Sequence, residues 1–596
     1  MRLGLTSTLV LALAAVGFCR VDYRVKVVEG ATAIDVEMVI PSDGKPVVVQ
    51  IPNWAPGSYR LVESFKSVNE VTALRASRKV VVNRLDDNSW EVSGGMSGDI
   101  VLRYQRAMGS AIGNRLHMTG PANLMYVKGR VKEDCTLKFD LPAGWRSTCG
   151  LEVKGDGYVA PDYDVLIDNP VTIGIFESDF YELKGVKHEI AYYGGDVSQV
   201  NRAAVIDYCK KITLLQDDFW SGLPFKKYVW HFTVMNAADG GWGLEHLSST
   251  TIGLASGLGQ GTVGVMNHEY FHAWNVKRIR SKALGPFDYL VLPKTGALWM
   301  LEGVTDYYAH LLLYRYQVYN EDYMKSRIIR NVRTTRANAE RMNVSPYDSS
   351  YRVGEAANGR GNSAGFGVNY YNTGWVVGLC LDIELRDATN GKYSFDDVLY
   401  QLWEECKDDQ SGFEEHRIRE IMVEMGGERM GVAYDTWVMK PGELPVEKQL
   451  EKIGYRFIET ETTFADLGFP VSWGTDGRLV VSRGTRDQEW RTNDEIVEVN
   501  GMAKGADAHV TEHVWEDWRE MMKPGATLKL KVKRGDEILE RTVAVKEGKT
   551  VDTLIEEMKD ASARVKALRE GWFRGPKNGG SPWWFPRGRL LFVADK

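Results

Sequence analysis

Between Val21 and Asp179 apolar and polar residues alternate in short runs such as "YRVKVV", "IDVEMVI", "PVVVQI" and "DIVLRYQ", separated by Gly, Pro, Asp and Asn. Period-two runs bounded by turn residues predict antiparallel strands of a β-sandwich-like domain. Near Asn201 the period changes. "AAVIDYCKKITLLQDDFW" spaces its apolar residues three and four apart, which predicts a helix, and "KYVWHFTVM" (Lys227 to Met235) then predicts a strand. Helical patterns dominate from there to about Glu424, interrupted by a polar, Gly- and Asn-rich stretch from Asn343 to Asn369. Short strands return after Gly454, with Asn500-Gly501 as a strong turn signal, and "DTLIEEMKDASARVKALREGW" predicts a last helix. The patterns divide the chain into a β domain (residues 20–185), a mostly helical domain (186–450), a small strand-rich domain (451–548) and a C-terminal helix and tail (549–596). The fold class is multidomain α+β.

A chain of 596 residues is too long for one hydrophobic core, in agreement with that division. The net charge of -6 gives no electrostatic reason to expect nucleic acid or an anionic membrane as partner. Residues 1–19 place Arg2 before an apolar run from Leu9 to Phe18, too short to span a bilayer, and predict a secretory signal peptide. The mature chain is then periplasmic or secreted, with no transmembrane segment. A lipid anchor at Cys19 is disfavoured by bulky Phe18 in front of it. The five other cysteines show no CxxC spacing, and at most Cys135 and Cys149 bridge a hairpin. "IPNWAPGSYR" (Ile51 to Arg60), rich in turn and aromatic residues, reads as a loop packed on the sheet.

The chemistry concentrates in "HEYFHAWNVKRIR" (His268 to Arg280). On a helix, residues four apart stack one turn above each other, so His268 and His272 can offer nitrogens to one ion. Glu269, about 100° round the helix, is placed to act as general base on a water. A catalytic zinc site needs a third protein ligand and an open position. "ALWMLEGVTDYYAHLLL" supplies Glu302, a carboxylate on an otherwise apolar run, where burial is costly unless the group is paired or binds metal. Asp306, one turn on, can accept the outer N–H of a zinc histidine or sit as an exposed helix charge. His310, a further turn on, reads as a core or surface residue.

With these residues in place the sequence resembles the glycyl aminopeptidases, PDZ-containing zinc metallopeptidases of the gluzincin group. The resemblance rests on "HEYFHAWNVKRIR", "LWMLEGVTDYY", "GGWGLEH" and "WAPGSYR", and on "DLGF" (Asp466 to Phe469) and "DEIVEVNG" near the C-terminus. It implies a β-sandwich-like N-terminal domain, a thermolysin-like catalytic domain over 186–450, and a PDZ-like domain over 451–548 able to take a peptide C-terminus. It implies one Zn²⁺ held by His268, His272 and Glu302, with peptides bearing a free N-terminus as substrates and Gly or Ala preferred. "GLEH" looks like the strand that lies along the substrate: Gly243 belongs to it, and Glu245 would bind the α-ammonium. "YYNTG" (Tyr370 to Gly374) looks like the segment carrying an oxyanion-binding tyrosine. Tyr371 takes that role, or its neighbour Tyr370, since Thr373 replaces the usual lysine. Two other readings fit the same residues, a zinc endopeptidase or oligopeptidase and a PDZ-type binding protein with a vestigial metal site. Trp274, Asn275, Lys277, Arg278 and Arg280 acquire no chemical role beyond support of the metal helix.

Overall fold

The computed structural model describes residues 20–235, 241–255, 258–353, 370–408, 411–473, 478–504 and 512–574. Residues 1–19, for which the sequence predicts a leader, much of the polar stretch after Val353 and the residues after Arg574 lie outside them. Among the described residues no helix is long and apolar enough to cross a membrane.

The alternating runs form the predicted strands. In Ala33–Ile40 the side chains of Ile34, Val36, Met38 and Ile40 are buried while Asp35 is exposed, the period of a half-buried strand. This strand pairs antiparallel with Arg20–Lys26 and Ile100–Ala107 in an eight-stranded sheet, and Arg20–Lys26 pairs parallel with Asp134–Asp140. Val49 and Val92, from a separate four-stranded sheet, enter the same core. Cys135 and Cys149 are both buried free thiols, so the bridge allowed for them is corrected: each packs as a small apolar side chain.

A second, five-stranded sheet follows, in the order Glu177–Leu183, Val186–Gly194, Lys227–Met235, Ser249–Ala255 and Gly243–Glu245. Its three central strands are parallel. A parallel pair needs a crossover, and the helix Arg202–Trp220 provides the first of them. The hairpin Glu177–Gly194 runs across position 185, where the sequence reading ended the β domain, because pairing rather than composition defines the sheet. Beyond the sheet lie the helices Gln260–Phe271, Thr305–Arg315 and Tyr370–Ala388.

The chain forms two compact units, one of residues up to Tyr455 together with those from Met558, the other Arg456–Glu557. The first is re-entered where the Met558 N–H donates to the Gly454 carbonyl at 2.8 Å. In the second, Val471–Trp473, Leu479–Val481, Glu495–Val499, Thr527–Arg534 and Glu537–Ala544 form one sheet, with Leu479, Val481, Ile496, Leu530 and Val532 in a core shared with Trp518 of the helix Glu512–Met521. Tyr455–Asp466 and Lys546–Glu557 pair with each other. The helix expected from Asp552 is therefore corrected. Cross-strand pairing overrides local propensity as far as Glu557, and the helix occupies Ala563–Arg574, packed on the first unit.

Candidate metal centre

The motif helix Gln260–Phe271 ends just before His272, which caps it in right-handed helical conformation, so the one-turn offset between the two histidines holds. Their Nε2 atoms face each other at 2.9 Å, and Oε2 of Glu302 lies 3.2 Å from His272 Nε2 and 3.5 Å from His268 Nε2. His272 Nδ1 is 2.6 Å from the Asn275 carbonyl and His268 Nδ1 is 3.5 Å from Asp306 Oδ1. A proton on each Nδ1 leaves both Nε2 lone pairs and the carboxylate converging on one point. All three groups are buried. Two imidazole nitrogens and one carboxylate form the donor set that zinc takes in catalytic sites, and a buried convergence of lone pairs is unfavourable without a cation. Burial by itself would push the Glu302 carboxyl up, but the His272 and His268 imidazoles hold it well below its ordinary value. The residues present fit a divalent ion.

Glu302 reaches this point through irregular backbone. Trp299–Val304 is a π-helical turn running into the helix from Thr305, and such turns are often found at functional sites. Two glycines complete the approach. A Cβ on Gly303 would stand 2.5 Å from both the Gly374 Cα and the Tyr370 carbonyl, and one on Gly374 would stand 2.4 Å from the Trp299 carbonyl. The Glu302 turn and the helix Tyr370–Ala388 thus touch backbone to backbone. This contact brings the Tyr371 ring to 6.0 Å from that of His268, with the Tyr370 ring tilted beside it at 5.0 Å. Burial, followed by the nearby Glu302 charge, pushes the Tyr371 hydroxyl well up, so it is a donor. Gly374→Ala is expected to pry the two elements apart and lower kcat by roughly a hundredfold, the usual result of a displacement near 1 Å in a reacting group. Steady-state kinetics at matched metal content checks this.

Glu269 is buried and its Oε2 has no hydrogen-bond partner among the described residues. Burial pushes its carboxyl up. Its other oxygen lies against the edge strand Gly243–Glu245, where a Cβ on Gly243 would meet Oε1 at 2.4 Å. Glu245, two residues along, is buried too, and its Oε1 likewise has no hydrogen-bond partner. It faces the loop that the sequence placed merely against the sheet. A Cβ on Gly57 would stand 2.6 Å from Glu245 Oε1, and Tyr59 is buried in left-handed backbone at φ 46°. A bulky residue at positive φ is strained. The loop is held there by the Trp54 indole donating to the Asp288 carbonyl (2.7 Å) and the Asn53 N–H donating to that of Tyr289 (2.8 Å).

The segment after His272 is likewise more than support. The Asn275 carbonyl faces His272 Nδ1, while its amide donates to Thr305 Oγ1 at 2.8 Å and lies 3.3 Å from the Met300 carbonyl, so one residue sets the spacing of His272 from the Glu302 turn. Trp274 stacks on Trp220 at 5.5 Å. Arg278 donates to the carbonyls of Leu247 and Pro224, tying the segment to the strand region of Glu245. His310 is buried with Nδ1 2.7 Å from the Asp306 carbonyl, as a core residue.

Residues 22–175 match the peptidase M61 N-terminal domain and residues 261–377 match the M61 glycyl aminopeptidase model. Among solved structures, an aminopeptidase N family protein from Idiomarina loihiensis superposes with a TM-score of 0.74 at 19% identity, covering 93% of this chain and 100% of that one. At that identity the likeness is one of fold. An M1 zinc metallopeptidase from Deinococcus radiodurans (TM-score 0.46, 13% identity, 72% and 95% covered) and yeast LTA4 hydrolase with bestatin (0.46, 13%, 72% and 68%) are too distant to bear on the site. A comparison with curated proteins finds no match.

Proposed function

Since the chain belongs to the M61 glycyl aminopeptidase family, we propose that it is a zinc aminopeptidase that removes a small N-terminal residue, Gly or Ala, from peptides. The observation that supports this most is the convergence of His268, His272 and Glu302 within 4.8 Å of one another, with two further carboxylates, Glu269 and Glu245, turned toward the same space. Bound there, zinc would supply Lewis acidity, polarising the scissile carbonyl and bringing the pKa of water toward about 7.

The chain's own groups do the rest. Glu269 takes a proton from the attacking water as its oxygen bonds to the carbonyl carbon, and gives a proton to the leaving amine nitrogen as the C–N bond breaks. The Tyr371 hydroxyl donates a hydrogen bond to the carbonyl oxygen as it gains charge. Asp306 holds the His268 tautomer. Gly243 keeps the edge strand close enough for substrate backbone to lie beside Glu269, and Glu245 accepts from the substrate's α-ammonium, fixing the cut one residue from the N-terminus.

In the same reading Arg456–Glu557 is a PDZ-like module. Its strand Val471–Trp473 ends the sheet, follows the Asp466 to Phe469 loop, and reaches the helix Glu512–Met521 through Trp473 and Trp515, whose rings are 5.2 Å apart. That is the layout by which a strand-adding groove takes an extended peptide terminus. Export by the leader completes the proposal, placing the enzyme in the periplasm or outside the cell.

Hydrolysis of glycyl and alanyl p-nitroanilides, with and without chelator, tests the reaction. Activity should vanish on chelation and return with Zn²⁺. Glu245→Gln tests the direction of the cut: KM for a free-amino peptide should rise about tenfold or more, since a buried charge-assisted contact is lost. Undiminished cleavage of the N-acetylated peptide would identify an endopeptidase instead.

A further inference from the structure

Lys277 lies five residues past His272 and is only 9% exposed. Its ammonium is 2.8 Å from Asp168 Oδ1 and 3.7 Å from Glu245 Oε1. Asp168 comes from the part of the chain matching the N-terminal domain model and is itself fixed: it accepts the Leu247 N–H at 2.8 Å and lies 3.4 Å from His246 Nδ1. Burial opposes charge on Lys277, yet the Asp168 and Glu245 carboxylates outweigh it and hold the ammonium protonated. All three groups line one cavity of about 90 Å³, together with Gly57, Tyr59 and Arg280.

Asp168 is paired with the Lys277 ammonium, whereas Glu245 Oε1 is buried with no hydrogen-bond partner among the described residues. A buried carboxylate oxygen left in that state is unfavourable until a counter-charge arrives. The shortfall lies at Glu245, since Asp168 has its ion pair and its backbone donor, whereas Glu245 has only the looser contact. A cation entering the cavity therefore completes the cluster at Glu245.

We propose that Lys277 is the positioning residue of the amino-terminus site: anchored by Asp168, it steers the Glu245 carboxylate, and the substrate's α-ammonium is the cation that completes the cluster. This rests on the reading of Glu245 given above. It also assigns a task to the N-terminal β part, which supplies Asp168 beneath the site and the Gly57–Tyr59 loop over it.

Lys277→Met is tested on the zinc-loaded full chain with a free-amino dipeptide anilide and its N-acetylated counterpart. The expected result is a KM at least tenfold higher for the free-amino substrate, kcat within threefold, and no change for residual cleavage of the blocked one, the pattern of lost binding common to ground and transition states. Lys277→Met takes the ammonium from two buried carboxylates and costs stability. The double variant Lys277→Met/Asp168→Asn removes the pair together and should show the same rise in KM. An unchanged KM in a folded variant, or equal losses on free and blocked substrates, overturns the proposal. Glu245→Gln separates the two layers. If it leaves KM for the free-amino substrate unchanged, the Glu245 reading falls. If it raises KM and neither Lys277 variant does, only the role of Lys277 falls.

Discussion

Glu269→Gln is expected to abolish nearly all hydrolysis, lowering kcat by about a thousandfold, within the range of 10²–10⁴ typical of a lost acid–base group, while one zinc ion per chain stays bound. The substitution keeps shape and leaves His268, His272 and Glu302 intact. On the proposed mechanism it removes the proton acceptor, and the neighbouring carboxylates are engaged otherwise: Glu302 is turned to the histidines, and Glu245, against the Gly57 loop, takes the substrate ammonium. KM should move by only a few-fold. Gly243→Ala should act in the same direction by a different route, since its Cβ would occupy the place of the Glu269 carboxylate. Kinetics beside metal analysis decides the point, and activity within tenfold of the parent with full zinc would remove Glu269 from the mechanism.

The second large effect concerns stability. The helix Ala563–Arg574 closes a buried group of two guanidinium and two carboxylate side chains, Arg315, Arg386, Asp382 and Asp396. The Trp572 carbonyl accepts from Arg315 at 3.0 Å, the Gly571 carbonyl accepts from Arg386 at 2.9 Å, and the Trp572 indole donates to the Tyr307 hydroxyl at 2.8 Å. Tyr307 follows Asp306 on the helix that continues from the Glu302 turn, so the contact reaches the site within a turn. Ending the chain at Glu557 would strip one carbonyl acceptor from each of two buried guanidinium groups, a loss of about 1.5–3 kcal/mol for each hydrogen bond to a charged group. Trp572→Ala would cost a similar amount through the cavity alone. Both variants should lose activity at temperatures the parent survives, with a shortened thermal half-life as the readout. A truncated chain as heat-stable as the parent would show that the helix is dispensable.

Legibility of the fold from sequence varied with the range of the forces involved. The strands of the β part and the helix Arg202–Trp220 follow from local periodicity. The segment from Asp552 to Glu557 misled because its composition suits a helix while its partner strand, Tyr455–Asp466, lies some ninety positions earlier. Cysteine spacing left a bridge open that packing closed, since Cys135 and Cys149 each sit in the core as thiols.

At the site the division is similar. His268, Glu269 and His272 were readable because a four-residue offset on a helix is a local geometric fact, and Glu302 because an isolated carboxylate on an apolar run demands a partner. The sequence by itself thus singled out the three groups that converge in the structure, His268, His272 and Glu302, and the carboxylate of Glu269 beside them. Only the tertiary structure decided what stands around them: the Gly303 and Gly374 backbones in contact, the strained Tyr59 loop against Glu245, and Lys277 between Asp168 and Glu245. These neighbours lie tens to hundreds of residues apart, and their meeting depends on how sheets and helices pack, which no local spacing encodes.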